Sequence, residues 1–161
     1  MPPPVISGFP GNVIDMVKPR LQTLMPDHIL VERPVRFLDP ERTVGIYIVD
    51  WTPDDRSHEI GQLEATLATY LFRIQNMAKA ADEVYGRSIF QFDSKTVRVL
   101  LYRDPTLAVG LPTLTEEALG VRESVKQWGV VKQRFLNTDL QGSFTFVAQT
   151  DFWVQTESTR L

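Results

Sequence analysis

The stretch from Ser143 to Gln155 constrains the fold more than any other part of the chain. Phe144, Phe146, Ala148, Phe152 and Val154 occupy even positions, while Ser143, Thr145, Gln149, Asp151 and Gln155 occupy odd ones. A period of two puts the apolar set on one side of a strand and the polar set on the other. Val125 to Leu136 reads as the preceding strand, and Asn137-Thr138-Asp139-Leu140-Gln141-Gly142 joins the two as a C-terminal β-hairpin. If Asn137 opposes Gly142, Trp128 faces Asp151 and lies diagonal to Trp153. Both tryptophans then share the face opposite the phenylalanines, together with Lys126 and Lys132.

The rest of the chain alternates between helical and extended patterns. Residues 1–11 are rich in proline and read as an irregular arm, leaving 12–161 as a single domain. Val13, Ile14, Val17, Leu21 and Leu24 recur at helical spacing after Asn12, with Pro19 expected to kink or split that helix. His28 to Leu38 is extended but interrupted by Pro34, so it is at best an edge strand. Thr43 to Trp51 is apolar on both sides and predicts a strand inside the sheet with both faces covered. Residues 62–80 are ambiguous. Leu63, Leu67, Leu71, Ile74, Ala78 and Ala81 fit a helix, whereas Ala68, Tyr70, Phe72 and Ile74 alternate as in a strand. Asp82 reads as the N-cap of a helix running to about Arg103, with Thr96 to Tyr102 rich in β-formers. Asp104 to Gly120 reads as a long connection.

Composition removes several classes of function. The chain has no cysteine, so disulfides, thiol nucleophiles and Cys-ligated zinc are excluded. Its net charge is −3, with no basic block of the kind that holds nucleic acid. No apolar run exceeds that of Ile46–Val49, too short for a membrane helix. His28 and His58 stand in no metal-ligand spacing and read as ordinary surface histidines. Gly8-Phe9-Pro10-Gly11 lacks the Lys-Ser/Thr of a phosphate loop. Asp54-Asp55, Asp82-Glu83 and Glu116-Glu117 fit turns and helix starts better than acid–base or metal sites. No G-x-S-x-G elbow occurs. The expectation is a chain without catalytic, metal or cofactor residues, and not an enzyme. The aromatics say more. Trp51 and Pro53 stand where a strand meets a loop, and Trp128 and Trp153 fall on strand faces with polar neighbours. Two readings remain open for them: a helix covers them, or they form a subunit interface.

Four stretches carry a resemblance to a known family: Tyr47-Ile-Val-Asp-Trp-Thr-Pro-Asp-Asp, Thr69-Tyr-Leu-Phe-Arg-Ile-Gln-Asn, Val97-Arg-Val-Leu-Leu-Tyr-Arg-Asp and Gly142-Ser-Phe-Thr-Phe. In their order, the chain resembles the tail terminator proteins of long non-contractile-tailed bacteriophages. The resemblance implies an α+β fold, a single mixed or antiparallel sheet of about four to five strands with two main helices packed on it. It makes the segment around Thr66–Lys79 a strand. It also implies a homohexameric ring in the tail and neck of a virion assembled in the host cytoplasm. That ring caps the tail tube, stops addition of tube protein and offers a docking surface to the head-connector or stopper protein. Genome DNA passes through its lumen without sequence-specific binding, and no cofactor or membrane is involved. The rival expectations are another neck or tail ring protein, such as a head-completion or tube subunit, and a monomeric binding module.

Overall fold

The computed structural model describes residues 9–53, 65–103, 114–116, 121–140 and 143–160. Helix α1 (Phe9–Leu24) leads into β1 (Ile29–Val31) and β2 (Arg42–Pro53). The long strand β3 (Ala65–Ala80) precedes helix α2 (Glu83–Arg103). Then follow β4 (Leu114–Glu116), β5 (Val121–Leu140) and β6 (Ser143–Arg160). The six strands form one sheet in the order β1-β2-β3-β6-β5-β4, parallel between β1 and β2 and antiparallel elsewhere. The α+β class and the C-terminal hairpin stand as expected. β1 lies at the sheet edge inside the extended stretch His28–Leu38, as expected, and the sixth strand is β4, which at three residues is too short to announce itself by periodicity and falls in the expected connection 104–120.

Both helices cover one side of the sheet, called here the helix side. Val13, Val17, Leu21 and Met25 recur every four residues and are buried, so α1 presents one apolar stripe to the sheet. Helix α2 buries Phe90, Val97, Leu100 and Leu101 on its inner face. They meet the inward residues of β2, β3 and β6, where Phe72 stacks on Phe152 with centroids 5.2 Å apart. A second cluster gathers Ala78, Phe90, Phe146 and Ala148 at the start of α2. The Asp82 carboxylate accepts from the Val84 amide at 3.3 Å, the N-cap bond expected of it. Thr96 to Tyr102 stays helical despite its β-formers. Val97 and Leu101 lie one turn apart and both point at the sheet, and that burial outweighs propensity.

β3 settles the ambiguity of 62–80. It lies between β2 and β6, and Tyr70, Phe72, Ile74, Asn76 and Ala78 are all buried on the helix side. The apparent helical set divides across the sheet, with Leu67 and Leu71 on the far side and Ile74 and Ala78 on the helix side.

Several expectations are corrected. Helix α1 begins at Phe9, so its first turn takes in Phe9–Gly11, which had been assigned to the arm; residues 1–8 lie outside the described residues. Pro19 does not split α1, which remains continuous from Phe9 to Leu24. β2 is covered on both faces only along Thr43–Ile46, all buried; beyond it Ile48, Val49 and Trp51 are exposed. His28 is no surface residue: it is 7% exposed, and its Nε2 donates to the Asp93 carboxylate at 2.7 Å. His58 lies outside the described residues. The far side of the sheet is polar and partly roofed by residues 32–41. That loop passes so close over Gly45 that a Cβ there would sit 2.2 Å from the Arg33 carbonyl oxygen. Only glycine admits this crossing.

Candidate subunit interface

The hairpin sets the positions of two of the three tryptophans, and its register differs from the expected one. Leu140 pairs with Ser143, so the strands continue to a tighter turn than Asn137–Gly142. A bulge between Val130 and Lys132 then offsets the pairing by one residue, and a second lies beyond Trp128, between Val125 and Gln127. Trp128 therefore opposes Val154, and Trp153 opposes Gly129. A shift by one residue moves a side chain to the other face. Trp128 and Trp153 thus lie on opposite faces, and their expected common face with Lys126 and Lys132 does not form.

A different grouping emerges. Trp51 pairs with Tyr70, Tyr70 with Val154, and Val154 with Trp128. These four residues form one row across four strands on the helix side. Tyr70 and Val154 are buried in its middle. At one end the Trp51 indole stacks on Tyr70 with centroids 6.2 Å apart and remains 56% exposed. At the other end Trp128 is half-buried and packs against the main core cluster. The Tyr70 hydroxyl donates to Glu123 at 2.8 Å, and Thr156 donates to the same carboxylate, fixing the row at its centre.

The far side carries the matching row. Asp50 pairs with Leu71, Leu71 with Trp153, and Trp153 with Gly129. A Cβ on Gly129 would lie 2.8 Å from Cζ2 of Trp153, so the indole extends over the glycine towards the β5 margin. The neighbouring far-side residues are polar and tied to one another. Arg73 grips Asp151 through two nitrogens at 2.8 and 3.1 Å, Gln75 donates to Gln149 at 2.8 Å, and Gln127 donates to Gln155 at 2.9 Å. The Asp151 carboxylate raises the pKa of the Arg73 guanidinium, which stays charged throughout.

Both rows end at strand margins left open among the described residues, where no strand flanks β2 beyond Gly45 or β5 beyond Glu123. Trp51 and Pro53 lie along the first margin, Pro53 ending β2 opposite Ala68. Trp128 and the Trp153 indole lie along the second. The four candidate interface residues thus fall on two margins at opposite ends of the sheet. Asp50, Tyr70 and Gly129 complete the arrangement. The bulge at Val49 moves Trp51 onto the helix side, the face of Ile46 and Ile48, and Asp50 onto the far side, a feature that no local pattern in β2 reveals.

Two concavities lie outside these rows. One, about 210 Å³, is lined by Arg87, Phe90, Gln91, Phe135 and Phe146; another, about 290 Å³, by Leu24, Phe92, Lys95, Thr96 and Val99. Neither brings together a nucleophile and a base. Among the described residues no group of three or more His, Asp or Glu side chains is placed to hold a metal ion, and no helix is long and apolar enough to cross a membrane.

No protein-family model matches the chain, and no curated protein matches it. Among solved structures, the chain is similar to a chain in the virion of a native gene transfer agent particle. The identity is 13% and the TM-score 0.48, with 90% of this chain and 91% of that chain covered.

Proposed function

We propose that this chain is a structural subunit of a phage-type virion, a tail terminator that assembles into a ring in the tail and neck region. The observation that carries this reading is the pair of open margins at opposite ends of one sheet, each bearing tryptophan. Contacts between unlike margins repeat head to tail, and such contacts close into rings or run on as filaments. The resemblance to tail terminators favours closure, at six copies. On this reading the ring caps the tail tube, stops its growth and receives the head-connector or stopper protein. DNA passes through the lumen, where a chain with a net charge of −3 does not retain it by charge. The role needs no catalytic residue, cofactor or membrane.

Negative-stain microscopy of the purified chain, alone and mixed with tail tubes, tests the proposal. Single or double rings, and tubes sealed at one end, are the expected result. Long cylinders of this chain alone would make it a tube subunit. Failure to join any tube, together with binding to a head portal, would make it a head-completion protein. A monomer that joins neither would overturn the ring.

A further inference from the structure

We infer that the ring is sealed by strand pairing: β5 of one copy lies antiparallel to β2 of the next, with Trp128 opposite Trp51, so that adjacent sheets run on edge to edge. The inference rests on the ring reading and adds to it the two strands, their direction and their register.

Direction comes first. β2 is antiparallel to β3, β3 to β6, and β6 to β5, so β5 and β2 run in opposite senses within one chain. A neighbour placed beside the β5 margin, in the same orientation, presents its β2 antiparallel to β5. The hydrogen-bonding pattern inside the subunit then continues across the boundary. A pairing of like margins would instead use a two-fold axis and stop at two copies.

Faces and charge select the register. With Trp128 opposite Trp51, Gly129 meets Asp50 and Gln127 meets Thr52, and both of these pairs lie on the far side in each subunit. On the helix side the row Trp51–Tyr70–Val154–Trp128 continues into the next copy's Trp51. On the far side the Trp153 indole, lying over Gly129, reaches towards the next copy's Asp50. The Asp50 carboxylate takes hydrogen bonds from its own neighbours, the Trp51 amide at 2.8 Å and the Thr52 hydroxyl at 3.5 Å. Along the β5 margin the exposed residues include Lys126 and Lys132, one on each side of Gly129. Lys126 is already paired with Glu157 of its own subunit, so the β5 margin offers the Lys132 ammonium group and the β2 margin a carboxylate.

The bulges fit the same scheme. A long open strand invites indiscriminate pairing, and lysines and bulges are what blunt it. In β5 the bulges leave only Gln127 to Val130 regular beside the tryptophan. In β2 the regular window is bounded by the bulge at Val49 and by Pro53, which lacks an amide hydrogen. Short windows make each junction weak alone, so assembly gains most from closing the ring. Bulged strands also bend and twist more sharply, which supplies curvature.

The absence of cysteine makes the test clean. Thr52→Cys and Gln127→Cys, both at exposed positions, are introduced singly and together into the full chain and oxidised gently at high protein concentration. The expected result is a ladder of covalent oligomers ending at the closed ring for the double variant, with at least ten-fold less cross-linking in either single variant. Adding Asp50→Lys to the double variant should lower the yield several-fold. Efficient dimers from one single variant would show like margins meeting and overturn the pairing. Rings seen by microscopy without cross-linking in the double variant would overturn the pairing and leave the ring standing. Absence of both rings and cross-links, in protein with native circular dichroism, would overturn both.

Discussion

Asp93 joins three parts of the chain at one buried carboxylate. It sits on α2 with its side chain 1% exposed, accepts from His28 Nε2 at 2.7 Å, and accepts from Arg42 at 2.8 Å. His28 follows α1 and Arg42 opens β2, so the carboxylate fixes where the first helix hands over to the sheet. Removing one member of a buried ionic group strands the others. Asp93→Ala should therefore cost about 3–5 kcal/mol in urea unfolding, and a loss below about 1 kcal/mol would show that the group adds little. The Arg33–Asp39 pair acts on the far side. Hydrogen bonds from Arg33, and then from the Arg36 amide, lower the Asp39 pKa from 3.8 to about 2. A carboxylate depressed in the folded state stabilises fully above its unfolded value and loses that contribution as pH falls through the folded one. Loop 32–41 should thus hold its brace above about pH 4 and release it towards pH 2. Asp39→Asn should abolish the pH dependence of amide protection, relative to intrinsic exchange rates, in that loop over this range while leaving the rest of the chain unchanged. None of these partners was legible from the sequence. His28 looked like a surface residue because its ligand lies 65 positions away, and no local pattern encodes such a distance.

At the scale of elements, legibility followed periodicity. The C-terminal strand was readable because Phe146, Ala148, Phe152 and Val154 face a core while their neighbours do not. β3 was ambiguous because it is a central strand with residues such as Met77 buried on its far side as well, which blurs the alternation. The hairpin existed as expected, but its register did not, since two bulges and the true turn each shift the pairing without altering the hydrophobic pattern. Trp128 and Trp153 were therefore misassigned to a common face. A glycine tests the packing of β2 against the far-side loop. Gly45→Ala places a methyl group 2.2 Å from the Arg33 carbonyl oxygen, a backbone atom that moves only if the loop moves. Overpacking of this kind should cost about 1–3 kcal/mol. At Gly129 the obstacle is the Trp153 ring instead, so Gly129→Ala should displace the indole and cost less. Equal losses at the two sites, measured by thermal unfolding, would mean that the loop yields as easily as the side chain.

On the ring reading, the molecule divides folding and assembly between different aromatic residues. Phe146 is 3% exposed and stacks on Phe90 at 5.5 Å, inside the cluster that holds α2 against the hairpin. Trp51 is 56% exposed and touches its own subunit through Tyr70. Trp51 meets the core through the row that Tyr70 and Val154 complete, so substitutions at Phe146 and Trp51 should separate. Phe146→Ala should destabilise the subunit by about 3–5 kcal/mol, as truncation of buried aromatics does. It should impair assembly only in proportion to the unfolded fraction. Trp51→Ala loses one exposed stacking contact, worth about 1 kcal/mol, and should leave the unfolding midpoint nearly unchanged. Yet a ring repeats each junction at every subunit, so a small loss per junction multiplies. A loss of about 1.4 kcal/mol at each one weakens that contact ten-fold, and closure needs all of them together. The concentration at which rings appear in native mass spectrometry should therefore rise at least ten-fold for Trp51→Ala, with no change in circular dichroism. If Trp51→Ala assembles like the parent chain while Phe146→Ala behaves as stated, Trp51 is a bystander and the β2 margin is not where subunits meet.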